Sequence, residues 1–171
     1  QQASGQAIAN NKAQRFPTGD EVFDLCCGIG GDLFSLGGRG SAVGVDRDPV
    51  SALFAEANCE VLGLAKTRVV PRDVTQMKFD SHHYIHIDPD RRPHGRRTTT
   101  IELHEPGKEF LQLLIANSAG GAIKLAPATE IPHGWLPETD LEWISHDGEC
   151  KQLVVWFGGL RQRSGASSAT V

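Results

Sequence analysis

The cysteines have no partners at recognisable spacing. Four occur, Cys26 and Cys27 adjacent and Cys59 and Cys150 alone, so no C-x-x-C metal or redox pair exists. A reduced, cytoplasmic protein is expected. Long apolar runs are also missing. None approaches the roughly 20 residues of a membrane helix, and the polar N-terminus has no signal-peptide core, so no membrane partner is expected. Positive charge is in short supply too: a formal net charge of -4 gives no global pull toward nucleic acid, and attraction to a polyanion has to come from a local patch. No internal repeat is visible. His82, His83, His86 and His94 lack a recognised metal-ligand motif, so no metal is assigned.

What is present fits one domain with many tight connections, 19 glycines and 9 prolines among 171 residues. Strand-like and helical stretches alternate, which predicts an α/β fold: a Rossmann-like, mostly parallel sheet with helices on both faces. Strands are expected at 21–26, 42–45, 67–70, 84–87 and 122–125, and helices at 31–36, 50–62 and 108–117. Two further runs, 141–145 and 152–157, flank Asp147-Gly148, a dipeptide suited to a tight antiparallel hairpin. Residues 1–16 read as a helical lead-in, 17–160 as the main domain, and 161–171, small and polar, as a flexible tail. Of the three tryptophans, Trp143 and Trp156 are expected to pack in the core and Trp135 to border a substrate pocket.

The strongest local signal is Asp24-Leu25-Cys26-Cys27-Gly28-Ile29-Gly30-Gly31, at the end of the first strand and the start of a helix. Glycines there let the backbone approach a ligand, and free amides at a helix start favour a carboxylate or phosphate. A dinucleotide fingerprint needs a third glycine, and Leu33 stands in its place. With Asp24 four residues ahead of Gly28, the stretch instead resembles D-x-x-x-G-x-G, the first motif of class I S-adenosylmethionine-dependent methyltransferases. Asp46 ends the second strand, where a carboxylate can accept from both ribose hydroxyls, and Asp73 follows the third, where one can accept from an adenine amino group. Taken singly, each acid also reads as a loop residue or helix cap.

Asp88-Pro89-Asp90-Arg91-Arg92-Pro93 closes the fourth strand. It resembles the D-P-P-[YF] motif of methyltransferases acting on exocyclic amino nitrogens, with Asp90 and Arg91 where that motif has its second proline and its aromatic. Arg91, Arg92, Arg96 and Arg97 form a basic run that reads either as a solvated loop or as the meeting point with an anionic substrate. From Ala9 to Leu160 the chain resembles bacterial class I methyltransferases that carry a THUMP-like domain, through I-A-N-N-K-A-Q-R-F at 8–16, D-L-C-C-G-I-G-G-D, D-P-D-R-R, K-L-A-P and G-E-C-K. More distantly, Cys27 to Gly31 is similar to trimethylguanosine synthase. The short stretch after the hairpin is expected to hold no THUMP-like module.

The resemblance implies a seven-stranded sheet whose last strand is antiparallel, S-adenosyl-L-methionine as donor, and RNA or a nucleotide-containing substrate. It implies cofactor contacts at Asp24, Cys26, Cys27, Gly28, Gly30, Gly31, Asp46, Arg47, Asp73 and Val74, catalytic roles for Asp88 and Pro89, and substrate contacts at Arg91 and Arg92, with the loop from Arg91 to Arg97 meeting RNA. The alternatives are a methyltransferase acting on a small anionic metabolite or a protein, and a nucleotide-binding domain without catalysis.

Overall fold

In the computed structural model, residues 5–90, 99–163 and 165–171 are described, and they fall into two compact units. The first holds the chain as far as Lys78 together with His83–Ile87. Its sheet is fully parallel, with strand order β3-β2-β1-β4. β1 is Val22–Leu25, β2 Ala42–Asp46, β3 Thr67–Pro71 and β4 Tyr84–Ile87. All five residues of β2 are buried, as expected of an inner strand, whereas β3 at the edge is partly exposed. Its sequence A-V-G-V-D is accordingly apolar until the strand ends.

Among the described residues, three α-helices belong to this unit: α1 (Gln6–Ala13), α2 (Leu33–Gly37) and α3 (Pro49–Val61). α3 starts where Pro49 tolerates the loss of an amide and where the Asp48 carboxylate accepts from the amides of Val50 and Ser51, both at 3.2 Å. Its buried residues are small, Ala52, Ala55 and Cys59, which lets the helix lie close to the sheet.

The second unit holds Phe79–His82 and everything from Asp88 onward. β5 (Gly120–Leu125) pairs antiparallel with β7 (Glu149–Gly158), and β7 pairs antiparallel with β6 (Thr139–His146). The turn between β6 and β7 has φ of 52° at Asp147 and 73° at Gly148, the two positive values a tight hairpin of this kind requires. α4 (Lys108–Asn117) buries Leu111, Leu114 and Ile115.

Several expectations need correction. The described residues form eight strands rather than seven, and the supposed flexible tail contributes the eighth, β8 (Ser167–Thr170), which runs parallel to β6. Backbone bonds hold it: Leu141 donates to the Ala166 carbonyl at 2.9 Å and Gly165 to that of Thr139 at 3.0 Å. The buried carboxylate of Asp140 adds to this by accepting from the amides of Gln162 and Arg163. Because none of this depends on large apolar side chains, composition carried no sign of it. The tryptophans differ as well. Trp135 is 2% exposed and therefore belongs to the core, while Trp143 is half-buried and donates to the Pro127 carbonyl at 3.0 Å.

Candidate cofactor and acceptor sites

The turn after β1 bends through three residues of positive φ: Cys26 at 57°, Gly28 at 57° and Gly30 at 99°. Gly30 has a second constraint, because a Cβ there would stand 2.3 Å from the ring of Phe34. Cys27 donates to the Val45 carbonyl at 3.1 Å and Gly30 to that of Cys27 at 2.9 Å, so the turn is tied to the end of β2. Burial and the neighbouring carboxylates Asp24 and Asp46 push the Cys27 thiol well up, leaving it a neutral packing group.

Asp46 joins the loops. Its Oδ2 accepts from the Gly28 amide at 2.8 Å, its Oδ1 from the Asp48 amide at 3.0 Å, and its carbonyl from the Arg72 amide at 2.9 Å. The glycine turn and the start of α3 are thereby brought to one carboxylate, and the segment leading to Asp73 to the carbonyl of the same residue. Arg47 follows it directly and is exposed, and its charge acts on Asp73. Asp73 accepts from the amide of Thr75 at 2.9 Å and from its hydroxyl at 2.7 Å, bonds that hold its carboxyl below the usual carboxylate range. It caps the short 3₁₀ turn Val74–Gln76, in which Val74 is buried. Part of the plain capping reading is therefore true of Asp73.

Sequence reading missed the partners of Asp24. Parallel pairing sets Asp24 opposite His86, whose Nδ1 lies 2.7 Å from Asp24 Oδ1. On the other side of the ring, Nε2 is 3.2 Å from the Nζ of Lys12, and that ammonium is 2.7 Å from Asp32 Oδ1. All four side chains are at least nine-tenths buried. Desolvation raises the Asp24 carboxyl, and the attraction of His86 is the largest effect opposing it. Asp24 Oδ2 is buried with no hydrogen-bond partner among the described residues. The available signals were a histidine in the apolar run Y-I-H-I and a lysine on the buried stripe Ile8, Ala9, Lys12, Ala13.

In the second unit, Asp88 is followed by the buried Pro89 and by Asp90, which exchanges two backbone hydrogen bonds with Glu105. The carboxylate of Asp88 is 30% exposed and pairs at 2.6 Å with Lys124, the penultimate residue of β5. That lysine was visible in the sequence as part of K-L-A-P, but its pairing was not. Arg91, Arg92, Arg96 and Arg97 lie outside the described residues. No group of three or more His, Cys, Asp or Glu suited to a metal ion, and no helix long and apolar enough to cross a membrane, occurs among the described residues.

No family model matches the chain. Two Mycobacterium tuberculosis proteins, from strains CDC 1551 and H37Rv, each named an uncharacterized S-adenosylmethionine-dependent methyltransferase, are 32% identical to it over 165 residues. The match covers 94% of the chain but 44% of those proteins, so the chain spans less than half the length of these relatives.

Among solved structures, a Porphyromonas gingivalis W83 protein provisionally assigned as a methyltransferase superposes with a TM-score of 0.68 at 22% identity, over 94% of this chain and 42% of that one. An RNA methyltransferase from Salinibacter ruber in complex with S-adenosyl-L-homocysteine gives 0.64 at 13% identity, over 91% and 92%. The fold is the Rossmann-like fold of class I methyltransferases.

Proposed function

We propose that the chain is the cofactor-binding, catalytic part of an S-adenosylmethionine-dependent methyltransferase whose acceptor is RNA or another nucleotide-containing molecule. The observation that carries the reading is the meeting of the glycine turn, the end of β2 and the segment before Asp73 on the carboxylate and carbonyl of Asp46. The mycobacterial relatives' names support the same cofactor.

The residues fit the group. The turn from Cys26 to Gly31 offers backbone with no bulky side chain at its glycines, and Asp24 Oδ2 is a buried acceptor with no partner among the described residues, suited to a cation. Asp46 would take the ribose hydroxyls and Asp73, with Arg47 and Val74 beside it, the adenine. When bound, the sulfonium supplies a methyl group already activated for displacement, so the protein chiefly aligns its acceptor. Asp88 orients the acceptor and accepts its proton, Lys124 fixes the direction of that carboxylate, and Pro89 with the Asp90–Glu105 pairing stiffens the strand exit. Arg91 and Arg92 add cationic groups for phosphate, the feature that favours a nucleotide-containing acceptor.

Calorimetry decides the cofactor. S-adenosyl-L-homocysteine is expected to bind and NAD not to bind, because the third glycine of a dinucleotide turn is Leu33. Tight NAD binding without affinity for the sulfonium compound or its product would overturn the reading.

A further inference from the structure

We infer that Lys12, carried inward by α1, is a positioning residue of the cofactor site: it orders His86 and Asp32 so that Asp24 keeps one carboxylate oxygen for a cationic group of the ligand. This rests on the cofactor reading above.

An ammonium can only donate. With Lys12 Nζ 3.2 Å from His86 Nε2, that nitrogen must be the acceptor, and the ring proton is left on Nδ1. Nδ1–H then donates to Asp24 Oδ1 at 2.7 Å, and Asp24 Oδ2 remains without a partner among the described residues. The tautomer of His86, and through it the aim of Asp24, is therefore set by a residue 74 positions away in the chain. Phe16, at the end of the same lead-in, meets the His86 ring edge-on at 6.5 Å between centroids. The lead-in helix is thus built into the site rather than merely leading to it.

Charge points the same way. Of the two buried carboxylates, Asp32 takes the Lys12 ammonium directly and Asp24 meets it only through His86, which leaves Asp24 the better partner for a cationic ligand. The groups acting on Asp24 are His86 from β4, Lys12 from α1 and Asp32 ahead of α2, while the thiols of Cys27 and Cys59 lie within its field and stay protonated. Burial already raises the Asp24 carboxyl, and Lys12 is one of the groups holding it down. Without the ammonium, Asp24 takes up a proton at higher pH, and a protonated carboxyl is a poor partner for a cation.

The test compares the wild-type protein with Lys12→Met and Lys12→Gln, which keep the stem and lose the charge, using calorimetry with S-adenosyl-L-homocysteine between about pH 6 and about pH 8 and thermal unfolding over the same range. Wild-type affinity should vary less across that window than that of either variant. Both variants should bind about tenfold more weakly than the wild-type protein at the lower pH, and the deficit should shrink as pH rises and Asp24 ionises. Stability should move in the opposite direction. An acid whose folded-state carboxyl is raised binds more protons folded than unfolded, so stability falls as pH rises, and the variants' melting deficit should widen toward pH 8. Lys12→Gln, which retains a donor, serves if Lys12→Met does not fold. Wild-type affinity in the variants, or a loss equal at every pH, would reduce Lys12 to a packing residue and overturn the inference. Failure of the wild-type protein itself to bind would instead overturn the cofactor reading, and this inference with it.

Discussion

Asp46 serves the fold and the proposed site with the same two oxygens, since Gly28 donates to one and Asp48 to the other. Asp46→Ala should therefore weaken S-adenosyl-L-homocysteine by about 1.5–3 kcal/mol through the lost ribose bonds, roughly tenfold or more, and lower the melting temperature because two amides lose their acceptor. An unchanged dissociation constant in calorimetry would place the ribose elsewhere. The place of Asp46 could be read from the sequence because it follows from a local fact, an acid at the end of an apolar strand. The glycine turn was legible for the same reason, each positive φ being fixed within a few residues of chain. The cluster around Asp24 was not, since its contacts span 62 and 74 residues and only the fold brings them together.

At the scale of elements, the bounds of α3 and α4 were readable from periodicity and from Pro49, but what α3 presents was not. Its small residues face inward, and Val50, Leu53 and Phe54 are each more than half exposed, because close packing on the sheet favours alanine over bulk. β8 was invisible because it is held through its backbone at the edge of β6 and through Asp140. That makes its loss predictable. Removing 161–171 should strip β6 of its parallel partner and leave the Asp140 carboxylate buried without the amides of Gln162 and Arg163, at a cost of about 1–3 kcal/mol. The truncated protein should melt lower and aggregate more readily through the bared strand edge, while S-adenosyl-L-homocysteine affinity stays within about twofold, because Asp24, Asp46 and Asp73 belong to the other unit. A melting curve unchanged by truncation would show that β8 adds nothing to stability.

For the whole molecule, the decisive quantity is the contrast between a net charge of -4 and four arginines within seven residues. A chain of that overall sign repels RNA at long range, so any RNA affinity must be concentrated where the arginines are, and Arg91 and Arg92 follow Asp88-Pro89 directly in the chain. Replacing both with Glu should leave S-adenosyl-L-homocysteine affinity within about twofold, because the proposed cofactor contacts come from earlier loops. Binding of a mixed-sequence RNA, measured by titration across a salt series, should weaken strongly. Each phosphate contact contributes a fixed release of counterions, so losing two should flatten the slope of log affinity against log salt by roughly 1.4 for a single strand and 1.8 for a duplex. The slope separates a phosphate contact from a general charge effect, which would lower affinity without removing two ions from the exchange. If the double variant instead loses the cofactor and keeps RNA, the arginines serve the donor side. If neither binding changes, the basic run is a solvated loop and the nucleotide-containing acceptor loses its main support.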